Sequence, residues 1–175
     1  MPFGYYEHLN RAQKATYRKS DAITSVALPE PAALLPSLDA IRVGLEADDR
    51  TAVGRAVRSF AATMLSMLRV PQVRTQVLAR RPSSENAELH GLYTREEGKT
   101  PLVQVWMRTA AHEQPVALRT FTRTLLHELC HHLDFELFDL TDTFHTEGFF
   151  RRESSLARQL LPSGGGARQL KLFDE

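Results

Sequence analysis

The 175-residue chain predicts an α+β fold: helices first, then a small, mostly antiparallel sheet, then a long central helix and a closing C-terminal helix. Three observations carry that expectation. Apolar residues recur at helical spacing as far as about residue 70, whereas from Gln72 to Thr109 they alternate with a period of two. The run TFTRTLLHELCHHLDFELFDL then returns to the helical pattern, with neither Gly nor Pro between Val116 and Asp142. A hydrophobic content of 42% with 25% charged residues suits one globular domain with a core.

Taken in order, residues 5–19 read as a helix, with Tyr6, Leu9, Ala12 or Gln13, and Tyr17 in rough helical spacing, closed by Ser20-Asp21. Its aromatics are expected to pack on the main domain. Leu28-Pro29-Glu30-Pro31 is a turn, and a second helix follows from Ala32 to Glu46. Asp48-Asp49 can cap a third, Arg50 to Leu68, whose Val53, Val57, Phe60, Ala61, Met64 and Leu68 form one stripe. Val70-Pro71 ends it. Val73, Thr75, Val77 and Ala79 then alternate as in a half-buried strand, and Leu89–Thr94 and Leu102–Thr109 are two more strands around a Gly98 turn. Pro115 falls where the first position of a helix tolerates proline. Glu147 to Leu161 makes the last helix, with Phe149, Leu156 and Leu160 among its apolar positions, and Arg151 and Arg152 read as solvating it. The organisation expected is a helical portion packed on the core (1–70), the core itself (71–161), and a Gly-rich linker with a terminal peptide (162–175).

Chemistry concentrates in His127-Glu128-Leu129-Cys130-His131. Residues four apart lie on one face of a helix, so His127 and His131 can direct two imidazoles at one metal ion. Glu128 follows the first ligand and can act as general base toward a metal-bound water, the logic of the H-E-x-x-H zinc peptidase signature. One zinc ion per chain is expected, and a catalytic zinc needs three protein ligands with one position open. Gly at 134 and His at 137 would mark the metzincin pattern, but the chain has Asp134 and Leu137. His145 is the favoured third ligand, since a loop of about a dozen residues can fold back over the helix. Glu147 and Glu153 are the carboxylate alternatives, and Glu153 could instead hydrogen-bond a ligand histidine and orient it. His132 sits about 100° around the helix from His131 and is read as a packing residue. Cys130 is read as a small buried apolar residue.

These motifs carry a resemblance. H-E-L-C-H-H with the later H-T-E-G-F-F resembles the compact zincins of the SprT-like, WLM and YgjP-like families, over roughly residues 87 to 160. The resemblance implies a zincin-like metallopeptidase core acting on protein or peptide substrates, with a groove at the sheet edge beside the metal helix. In the SprT-like case it implies association with DNA-bound proteins. The chain departs from these families in lacking a Cys-rich zinc ribbon and in its helical first half.

The rest bounds partners and compartment. Formal net charge is +1, but residues 1–83 carry 12 basic and 7 acidic groups, and residues 84–175 carry 10 and 14. That asymmetry permits DNA contact without demonstrating it. The single cysteine fits a reducing, cytoplasmic setting, and no apolar run is long enough to span a membrane. At the end of the chain, Gln169-Leu170-Lys171-Leu172-Phe173 resembles a bacterial sliding-clamp-binding peptide. Gln169 would be its polar anchor, with Leu170, Leu172 and Phe173 filling an apolar pocket. The expected function is hydrolysis of peptide bonds, recruited to replication or repair sites through that peptide. The alternatives are a non-catalytic zinc-binding adaptor and a regulatory peptidase with a single substrate.

Overall fold

Asn10 decides how the chain begins. Its side chain accepts a hydrogen bond from the Gln13 backbone N–H, and the Gln13 side chain accepts one from the Asn10 N–H, a reciprocal cap that starts a helix at this point. In the computed structural model, which describes residues 2–80, 83–84, 87–88, 90–109 and 114–162, the single helix expected over 5–19 is therefore two pieces. A 3-10 turn, Gly4–His8, precedes α1, Arg11–Ala22. After a second 3-10 turn at Pro31–Leu34 come α2, Leu35–Glu46, and α3, Arg50–Met67. Asp49 caps α3 by accepting from the Ala52 N–H, while Asp48 turns away to grip Arg108 through two hydrogen bonds of 2.9 and 2.8 Å. The stripe from Val53 to Met64 is buried as the periodicity requires.

The strands are β1, Arg74–Arg80; β2, Ser83–Ser84; β3, Ala87–Glu88; β4, Gly91–Thr94; and β5, Leu102–Arg108. β2 and β3 form a small antiparallel pair of their own. The main sheet has the order β1-β5-β4, with β1 parallel and β4 antiparallel to β5. It is therefore mixed rather than mostly antiparallel. The chain leaves β1, returns down β4 and turns through Gly98 into β5, which inserts beside β1 in the same direction. β5 is thus the central strand, as its almost uniform burial reflects, and β4 is the edge strand.

The long central helix is α4, Leu118–Glu136, and the closing helix is α5, Glu147–Leu160. α4 starts later than Pro115 suggested, because Pro115 extends the sheet through a bridge to Arg108 and Val116 still donates to Met107. α4 packs against β4 and β5 on one side and α5 on the other. One continuous buried cluster runs from Val26 through Phe60, Val105 and Leu125 to Leu161, so the first seventy residues contribute to the same core as the rest. No helix among the described residues is long and apolar enough to cross a membrane. The terminal peptide Gln169–Phe173 lies outside the described residues.

Candidate metal centre

Helical spacing sets His127 and His131 one turn apart on α4, and the loop between α4 and α5 brings His145 over them. The Nε2 atom of His145 lies 3.0 Å from that of His127 and 3.1 Å from that of His131. Phe149, fully buried, forms a floor under all three rings at centroid distances of 4.7 to 5.2 Å. Phe150 stacks on His145 and Tyr93 on His131.

The other ring nitrogens fix the tautomers. His127 Nδ1 is 3.2 Å from Glu153 Oε2, a carboxylate that can only accept, so Nδ1 carries the proton. His131 Nδ1 is 2.7 Å from Thr143 Oγ1, and the Thr143 hydroxyl donates to Asp134 Oδ2 at 2.9 Å, so this Nδ1 is a donor too. Both Nε2 atoms therefore present lone pairs toward His145. A proton on His145 Nε2 can satisfy one of them and leaves the other facing nitrogen at about 3 Å, whereas a cation satisfies all three. Tetrahedral zinc bound at 2.0–2.1 Å places its nitrogens about 3.3 Å apart, close to the spacing here. The donor set fits a metal ion, and three imidazoles suit zinc among other first-row metals.

Each helix ligand ends in a carboxylate held by an arginine. Glu153 accepts from Arg123 at 2.7 Å, and Asp134 accepts from Arg152 at 2.7 Å. Arg152 is buried outright, donating also to the carbonyls of Ser20 and Ile23 at 2.6 Å, so the reading of it as a solvating residue is overturned. Burial pushes Asp134 up to about 6 against the pull of Arg152 and Thr143. Burial likewise drives His131 well below its ordinary pKa and His145 down to about 4, with neighbouring imidazoles adding to both shifts. These two rings are held neutral, the form that binds a metal.

Glu128 sits between α4 and the edge strand. It is 5% exposed, and its carboxylate rests over Gly91, where a Cβ would come within 2.4 Å of Oε1. The Tyr93 N–H donates to it, yet burial prevails and pushes its pKa up to about 7. Glycine at 91 is required by this approach, and nothing in the local sequence announces it.

The structure brings His127, His131 and His145 together, with Glu153 behind His127 and Glu128 near enough to His127 to feel its charge. Glu147 is elsewhere: it is exposed and pairs with Arg151 one turn along α5. His132 donates from Nε2 to the Pro71 carbonyl at 2.7 Å, and the Tyr93 hydroxyl donates to its Nδ1 at 3.1 Å, a packing role. Cys130 is buried with its thiol pushed up by desolvation.

Sequence reasoning missed Thr143, Asp134, Arg152, Gly91 and Tyr5. The Tyr5 hydroxyl donates to the His145 carbonyl at 2.7 Å, and its ring stacks on Phe144. Thr16 bonds Thr141 at 2.8 Å and the Lys19 ammonium reaches the Asp139 carbonyl at 3.2 Å, so the N-terminal segment clasps the loop that carries His145. The one available signal was Asp134, a carboxylate three residues beyond His131 and on the same side of the helix.

Comparison of the chain with protein-family models, curated proteins and solved structures found no match.

Proposed function

We propose that the chain is a zinc-dependent endopeptidase of the zincin kind, related to the SprT-like, WLM and YgjP-like enzymes, and that it hydrolyses peptide bonds in protein substrates. The observation that carries this reading is the pairing of three convergent imidazoles with a buried glutamate whose pKa is raised to about 7. A structural zinc takes four protein ligands, whereas the cluster among the described residues supplies three. That difference favours catalysis over the adaptor reading.

Zinc held by His127, His131 and His145 supplies a water acidified toward neutrality and a Lewis acid for the scissile carbonyl. Everything else falls to the chain. Glu128 takes the proton of the attacking water and returns it to the leaving amine. A cation bound at the imidazoles would favour the ionised carboxylate, the form a base needs. Gly91 and the Tyr93 N–H fix the carboxylate in place. Glu153 and the Thr143–Asp134 pair hold the two helix imidazoles with Nε2 unprotonated. β4 is the outer strand beside α4 among the described residues, so an extended substrate could add along it through main-chain hydrogen bonds, giving sequence-tolerant binding. The terminal peptide Gln169–Phe173 would deliver the enzyme to a bacterial sliding clamp, and with it to replication and repair sites.

The decisive experiment is metal analysis combined with proteolysis of unfolded protein substrates by wild type and Glu128→Gln. The variant is expected to keep one zinc per chain and lose turnover by roughly a hundred- to ten-thousandfold. Wild-type cleavage by this variant refutes the mechanism. Calorimetry with a cognate clamp, before and after deletion of residues 169–175, tests recruitment separately.

A further inference from the structure

Arginines gather at one place on the surface with few acids to meet them. Arg119 and Arg123 on α4 and Arg158 on α5 line a cleft of about 180 Å³, with Ser154 on its wall and Ala157 and Leu161 as its apolar floor. Arg119 and Arg158 are exposed and make no ion pair among the described residues; Arg119 reaches only the Pro162 carbonyl, at 3.1 Å. Arg123 is the anchored one, bonded to Glu153 at 2.7 Å and to Ser154 Oγ at 3.4 Å. The Ser154 oxygen accepts that bond, so its O–H remains to donate into the cleft.

Helix stability accounts for only part of this arrangement. Arg158 lies in the last turn of α5, where the helix field favours a cation. Arg119 lies in the first turn of α4, where the field opposes one, and that turn has neither an acidic residue nor a side-chain cap. The positive end of a 19-residue helix therefore adds to the guanidinium charge instead of relieving it. Among the described residues the three guanidinium groups meet one carboxylate, Glu153, leaving a balance of about two positive charges, the complement of a phosphate group bearing close to two negative ones. Planar guanidinium forks are also the side chains best shaped to engage phosphate oxygens in pairs.

We propose that the cleft between α4 and α5 is a binding site for a phosphate dianion, taken either as inorganic phosphate or as a terminal phosphomonoester. Arg119 and Arg158 supply the free forks, Arg123 a third donor face, and Ser154 a hydroxyl. An organic substituent on the phosphate would rest on Ala157 and Leu161. Arg123 is shared with the support of His127, through Glu153, but Arg119 and Arg158, the two side chains on which the test rests, contact neither.

The test is calorimetric titration of the zinc-loaded full chain with inorganic phosphate and, separately, with AMP. Phosphate can also ligate zinc, so the same titrations are run on Arg119→Gln/Arg158→Gln, two exposed positions whose replacement leaves zinc content and melting temperature as controls for folding. The expected result is binding by the wild type and a loss of about a hundredfold in the double variant, roughly tenfold for each charge-assisted contact removed. Tighter binding of AMP assigns the site to phosphomonoesters, and equal binding assigns it to the free ion. Affinity unchanged in the double variant places the anion on zinc and overturns the proposal. So does the absence of binding at concentrations on the order of 10 mM, far weaker than a built site would give. A third overturning result is binding that appears only after removal of residues 163–175, which would make Asp174 and Glu175 the occupants.

Discussion

Replacing Glu128 by Gln should make the metal-free protein more stable, and only above a definable pH. The carboxyl has its pKa raised from 4.5 to about 7 because the folded chain buries it. A group that holds its proton more tightly when folded contributes stability that is full below its unfolded pKa and is lost as pH rises through the folded one. Here that window runs from about 4.5 to about 7. At 1.36 kcal/mol per pKa unit, the charged side chain costs the wild type about 3 kcal/mol by neutral pH, relative to a neutral isostere. Gln keeps an acceptor for the Tyr93 N–H but must place an NH₂ where a carboxylate oxygen lay over Gly91, so a net gain of about 2 kcal/mol is the realistic expectation. For a chain of this length that is roughly 4–8 °C in melting temperature. Thermal unfolding followed by circular dichroism with a chelator present, on both proteins from pH 5 to pH 8, measures it. The difference should be near zero or negative at pH 5, grow until about pH 7 and then level off. A difference that is flat across this range, or a variant less stable at pH 8, would refute the claim that burial has raised this carboxyl.

The remaining predictions address the surroundings of the same site. Gly91→Ala places a methyl against the Glu128 carboxylate, so zinc content should hold while turnover falls at least tenfold, and equal turnover would show that the carboxylate has room to move. Thr143→Val removes the link between His131 and Asp134, and Glu153→Gln weakens the acceptor behind His127. Each should lower zinc affinity by about ten- to a hundredfold in a chelator competition, while unaltered affinity would show that the rings need no such support. Tyr5→Phe deletes the hydroxyl bonded to the His145 carbonyl but keeps the stacking ring, and it should speed zinc release to a chelator with little change in melting temperature; an unchanged release rate would dismiss the clasp.

What the sequence disclosed and what it hid divide along a physical line. α3, α4 and α5 were legible because a stripe of apolar residues on a helix states both the element and its buried face, as Val53, Phe60 and Met64 do. His127 and His131 were legible for the same reason, since helical spacing alone fixes their relation. The order β1-β5-β4 was not, because alternation in a strand says which face is buried but not which neighbour it pairs with or in which direction. Arg152 was misread because charge argues for solvent, and only the fold reveals two carbonyls and a carboxylate waiting in the interior. Tyr5 and Gly91 matter through contacts made across 140 and 37 residues of chain, and no local pattern encodes such partners.

The clasp that Tyr5 makes on the loop carrying His145 also sets a timetable. The carbonyl that Tyr5 holds belongs to His145, 140 residues later, and so large a loop closes late in folding. Until it closes, His127 and His131 on α4 stand as a two-ligand site, which releases a metal ion readily. Durable loading is thus deferred until most of the tertiary structure exists, and a chain stalled or truncated before the loop would lack the third imidazole. Under the proposed peptidase function, loading the metal last would keep the folding chain itself out of reach.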